Sequence, residues 1–173
     1  MKKFRKIISV FLGLAVILLS LASDYENAMA KDYSEIGSGA CGSYWTYYTK
    51  ISGSITGGVF TDYKVVISGK TSTYSTKDCS VKRDITVFVN GIGISCASKG
   101  ADFTLSASTT SSSITSSSTY TQTAGTTKQT NLGTTTFEAF CITKAGVRCR
   151  CYFTETERGY DGYVEAYKSV VIW

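Results

Sequence analysis

The chain has 173 residues and a formal charge of +5, with six cysteines, no histidine and no proline. Lacking histidine, it holds no Ser-His-Asp or Cys-His catalytic arrangement and no imidazole-ligated metal. Lacking proline, it holds no PxxP ligand and no cis-proline turn.

In chain order, the first segment reads as an export signal. Lys2, Lys3, Arg5 and Lys6 precede a 16-residue run, Ile7 to Ala22, broken only by Ser9, Gly13 and Ser20. Ala28-Met29-Ala30 then supplies the small-x-small pattern of a cleavage site, so cleavage is expected after Ala30. The run is shorter than the about 20 apolar residues of a spanning helix, and the first cysteine, Cys41, stands too far beyond it for lipidation. The expectation is a signal helix over 1–30 and one secreted domain over 31–173, at the exterior of a bacterial cell, meeting the membrane only during export. That domain has 14 cations against 11 acids, a charge of +3, which speaks mainly to solubility.

Val, Ile, Thr, Tyr and Phe in short alternating runs, parted by Gly-bearing turns, predict an all-β domain. Strands are expected at 43–51, 63–68, 84–89, 92–97, 103–108, 134–142, 148–158 and 163–172. Turn signals stand at Gly57-Gly58, Asn90-Gly91, Lys144-Ala145-Gly146 and Asp161-Gly162. No apolar period of 3.6 residues follows the leader. The architecture expected is one disulfide-stabilised antiparallel β-sandwich or small barrel. Thr104 to Thr136 carries 21 Ser or Thr in 33 residues. It reads as a pair of polar strands joined near Ala124-Gly125, as a loop, or as a membrane-inserting hairpin. The last suits it least, because Ser108 to Ser118 lacks lipid-facing apolar residues at every second position.

Cys41, Cys79, Cys96, Cys141, Cys149 and Cys151 are an even set in an exported chain, which predicts disulfides. No CxxC spacing argues for a metal. Cys149 and Cys151, at i and i+2, are not expected to bond each other within one strand. A hairpin turned at Lys144-Ala145-Gly146 would set Cys141 opposite Cys149, and that pair is the one with a local argument.

For chemistry the sequence offers little. There is no Ser-x-x-Lys, no Gly-x-Ser-x-Gly and no phosphate-binding glycine loop. Glu155 and Glu157 share a strand face, which suits a solvated surface better than a glycosidase pair. Lys82-Arg83 and a strip of Lys144, Arg148, Arg150 and Tyr152 are the basic clusters, a small anion-binding strip at most. Tyr44, Trp45, Tyr47 and Tyr48 put aromatics on both faces of one strand, and exposed rings suit sugar stacking. The reading is a non-catalytic extracellular binding or surface interaction module. Its partner is a cell-wall glycan or a surface protein rather than nucleic acid, with no cofactor implied. The alternatives are a carbohydrate-binding module using those aromatics and a membrane-active β-hairpin toxin.

Overall fold

The computed structural model describes residues 29–57, 64–98, 104–107 and 110–172. Ten strands follow in order: β1 (Met29–Cys41), β2 (Trp45–Gly57), β3 (Lys64–Ser75), β4 (Cys79–Ile92), β5 (Ser95–Ser98), β6 (Thr104–Ala107), β7 (Ser111–Gln122), β8 (Thr127–Glu138), β9 (Cys141–Glu155) and β10 (Asp161–Val171). They form two antiparallel sheets, β1-β2-β3-β8-β5 and β10-β9-β4-β7-β6, hereafter the first and second sheets. The chain is an all-β, sandwich-like fold. The expected signal helix lies outside the described residues except for Met29 and Ala30, which open β1, and Gly58 of one expected turn lies outside them too.

Alternation builds the sandwich. On β2, Trp45, Tyr47, Thr49, Ile51 and Ile55 point inward and are buried. On β9, Ala145, Val147, Cys149, Cys151 and Phe153 do the same. Odd-numbered residues of β4 meet them from the neighbouring strand, with Ile85 opposite Cys149 and Val87 opposite Val147. Because the side-chain period of a strand is two, each inward series leaves an equally regular outward one.

The two long edges of the sandwich differ. On one, β1 lies against β10: a side chain at Gly37 would overlap the Glu165 carbonyl, and Lys168 Nζ bonds Glu35 Oε1 at 2.7 Å. On the other, the chain crosses from β7 to β8 through a turn at Thr123–Thr126. There Gly125 takes φ +72°, Asp78 accepts the Ala124 amide at 2.7 Å, and Gln122 Nε2 donates to the Thr126 carbonyl at 2.6 Å. The Ser/Thr-rich stretch therefore forms strands tied into opposite sheets.

Two expected hairpins are corrected. β4 runs straight through Asn90-Gly91, and β9 runs straight through Lys144-Ala145-Gly146. The two apparent turns lie on facing strands at one irregularity: Asn90 pairs with Lys144, Gly91 pairs with Ile142, and Thr143 is skipped. Thr143 Oγ1 donates instead to the Asn90 carbonyl at 3.2 Å. Gly91 is needed because its backbone meets the Cys141 carbonyl, a close approach and not a turn.

The disulfide expectation is corrected with them. Cys141 and Cys149 stand on the same strand, about 26 Å apart at the usual rise, so they cannot bridge. No two cysteines stand at disulfide bonding distance among the described residues; Cys79, Cys149 and Cys151 are buried and Cys41 is exposed. The last hairpin stands as expected between β9 and β10. Its turn is displaced from Asp161-Gly162 to residues 156–160, where Gly159 takes φ +69°, and Gly162 pairs with Phe153 within the ladder.

Candidate functional site

The aromatic cluster on β2 divides by face. Trp45 and Tyr47 are core residues. Their rings stand 4.4 Å apart, Tyr47 reaches Phe153 at 5.0 Å, and the Trp45 indole N–H donates to Ser75 Oγ at 2.8 Å. Trp45 is wholly buried and Tyr47 is 8% exposed, which leaves neither ring a free face and corrects their reading as stacking residues. Tyr44 is occupied by the β9–β10 turn: its hydroxyl donates to Glu157 Oε2 at 2.9 Å, and the Arg158 and Lys77 cations lie 4.2 and 4.4 Å from its ring centre. Loss of water, the Glu157 hydrogen bond and the neighbouring carboxylates push this phenol up to about 12. Tyr48 alone faces outward, stacked on Tyr74 with 5.1 Å between ring centres.

Glu155 and Glu157 do not form a facing pair of free carboxylates. The Glu155 carboxylate accepts the amides of Glu157 at 2.9 Å and Arg158 at 2.6 Å, so it caps the turn. Burial raises its pKa, but these backbone hydrogen bonds outweigh it and hold the group below its ordinary value near 4.5.

The outward face of the second sheet brings together residues that are scattered in sequence. Phe88 on β4 is opposite Gly146 on β9, and Arg148 on β9 is opposite Tyr167 on β10. A Cβ at Gly146 would stand 2.6 Å from Phe88 Cζ. The missing side chain lets the Phe88 ring cross β9 and lie parallel to Tyr167, 6.0 Å between centres and 4° between planes. The Arg148 guanidinium sits 5.1 Å over the Tyr167 ring and Lys144 Nζ lies 5.9 Å from it.

These side chains line an open groove of about 370 Å³, completed by Thr86, Asn90 and Ser113. The groove holds two cations and no carboxylate. The nearest acid, Glu165, is already engaged by Arg150 at 2.8 Å and by the Tyr163 hydroxyl at 3.0 Å. The Arg150 hydrogen bond above all holds the Glu165 carboxyl below its ordinary range. Glu165 reaches Arg148 Nε only at 3.6 Å, beyond hydrogen-bond length, and this buried nitrogen has no hydrogen-bond partner. The Tyr167 phenol is lowered by a Ser169 hydrogen bond, with Lys144 and Arg148 adding to the effect against burial. Its local field is positive.

The basic strip read from sequence is thus present on one face, and Phe88, Gly146 and Tyr167 are what that reading missed. The signal lay in the alternation of β4 and β10, which puts an aromatic outward on each. Lys82 and Arg83 part ways: Lys82 is exposed, whereas Arg83 points inward and is buried. No family model matches the chain, and no curated protein matches it.

Proposed function

We propose that the protein is a secreted, non-catalytic binding module that takes an anionic polysaccharide on the outward face of the second sheet. The observation that carries this reading is the Phe88–Tyr167 ring pair beside two cations in a groove with no acid. Parallel rings offer an apolar surface to a sugar face, and the Arg148 guanidinium suits a carboxylate, sulfate or phosphate through paired hydrogen bonds. The basic leader and the Ala28-Met29-Ala30 pattern support an extracellular setting.

Retention on immobilised acidic polysaccharides, neutral polysaccharides and anionic liposomes tests the proposal. Saturable retention on the acidic glycans, lost in Arg148→Ala, is expected. Equal retention on neutral glycans would contradict it, and retention on liposomes alone would favour the membrane-active alternative. A second reading has one specific observation behind it: the Tyr48–Tyr74 stack borders a shallow groove of about 410 Å³ with no charged residue, which suits a neutral sugar. Retention on neutral glycans that disappears in Tyr48→Ala would select it.

A further inference from the structure

The sandwich interior carries an arrangement that the binding face does not use. Cys149 and Cys151 both point inward from β9 and are fully buried, with their sulfurs 3.8 Å apart. Thr49 Oγ1 reaches Cys149 Sγ at 3.3 Å from the facing sheet. Arg83, opposite Cys151 in the ladder, is only 3% exposed. Its Nη2 donates to Thr130 Oγ1 at 2.6 Å, while its Nε and Nη1 have no hydrogen-bond partner. No acid is ion-paired with it among the described residues. The guanidinium also lies 5.1 Å from the Tyr120 ring centre and its Nη2 stands 3.4 Å from Ser118 Oγ, but none of these partners is an anion, and a buried cation favours one.

We propose that Cys149 and Cys151 form a two-coordinate site for a soft monovalent metal ion, Cu(I), with Arg83 as its buried counter-charge. Thiolates select soft ions. Loading is balanced as two thiols and Cu(I) going to a bis-thiolate complex of charge −1 and two released protons. With the Arg83 guanidinium the centre is neutral. A divalent ion on the same two sulfurs would leave a net positive charge in the core, and the described residues contain no group of three or more His, Cys, Asp or Glu to complete a tetrahedral site.

The spacing also favours a metal bridge over a disulfide. Same-face neighbours on a strand stand about 6.6 Å apart at Cα, near the upper limit for a disulfide of about 6.8 Å. Two metal–sulfur bonds of about 2.3 Å span the gap once each sulfur moves outward by about 0.4 Å.

Because both sulfurs are sealed in the core, the test refolds the reduced protein anaerobically with Cu(I) and a chromophoric Cu(I) chelator as competitor. The expected result is one tightly held copper per chain and a raised Tm. Cys149→Ser and Cys151→Ser each weaken retention at least 100-fold, and Arg83→Met weakens it about tenfold, with partial recovery in Arg83→Lys. Should a variant fail to fold, X-ray absorption on the copper-loaded wild type decides: a shell of two sulfurs is expected. A shell of three or more ligands, undiminished copper in the Cys149→Ser/Cys151→Ser double variant, or Zn²⁺ held as tightly as Cu(I) would overturn the proposal.

Discussion

The outward faces of the two sheets obey the same alternation and end in different chemistry. Across the first sheet, residues pointing to solvent are small and polar: Ser52 pairs with Lys70, Ser54 with Ser68 and Lys50 with Ser72, and Ser54 and Ser68 share a hydrogen bond at 3.1 Å. The Tyr48–Tyr74 ring stack on this face borders a groove that no guanidinium lines. Across the second sheet, Phe88, Arg148, Arg150, Tyr152, Tyr163 and Tyr167 stand beside hydroxyls such as Thr86 and Thr115, and one glycine, Gly146, opens space for a ring to cross the strand. A sandwich needs only inward alternation to fold, so the outward series are free to differ. Large stiff rings beside partly desolvated cations add nothing to the core and form a surface suited to a ligand.

That contrast can be broken or sharpened by substitution. The largest expected effect falls inside the sandwich: Trp45→Ala should cost about 3–5 kcal/mol in urea unfolding, because it empties a fully buried indole site and removes the indole hydrogen bond to Ser75. Tyr48→Ala, three residues on but facing outward, should cost under about 1 kcal/mol. Equal costs would show that β2 is not divided by face as described.

On the binding face, Arg148→Ala should weaken acidic-glycan binding about 10- to 100-fold, the worth of hydrogen bonds to a charged group. Phe88→Ala or Gly146→Val should weaken it about tenfold by removing or displacing the ring, with far-ultraviolet circular dichroism unchanged for Phe88→Ala. Tyr48→Ala should leave it within about twofold. An affinity insensitive to Arg148 and Phe88 but sensitive to Tyr48 would move the site to the first sheet. Raising salt to about 1 M, where the screening length is about 3 Å, should weaken the same interaction severalfold, and salt-independent binding would contradict the role of the two cations.

The smallest effect concerns the β9–β10 turn. Glu155 has a folded-state pKa below its unfolded value, so its stabilisation is fully present above about pH 5 and is lost as the pH falls through the folded value. Glu155→Gln should flatten the fall in Tm with acid across that range. An unchanged acid profile would show that the carboxylate does not hold the turn.

Much of this architecture is legible in the chain. Alternating Val, Ile, Thr and Tyr announce strands, and parts of the inward series of β2, β4 and β9 can be read directly, over 43–51, 84–89 and 148–153. The misreadings share one cause. Asn90-Gly91 and Lys144-Ala145-Gly146 have good turn chemistry, yet tertiary pairing sets β4 against β9 through both, and the glycines serve close backbone approach and the seat of a ring. Turn signals are local, whereas a ladder is decided by all its partners. The cysteines misled for a related reason: a hairpin that does not form placed Cys141 near Cys149. The candidate groove was half visible. The basic strip stands within one strand, while Phe88 and Tyr167 come from two others, and no local pattern reveals that three strands lie side by side.

The account rests most directly on where a ligand touches the protein. Amide chemical shifts of the folded domain, recorded while an acidic oligosaccharide is titrated in, locate that contact without substitution. The account predicts that shifts concentrate at Phe88, Ser113, Gly146, Arg148 and Tyr167 and fade across the sandwich. Shifts confined to Tyr48, Lys50, Ser72 and Tyr74 on the opposite face would contradict it.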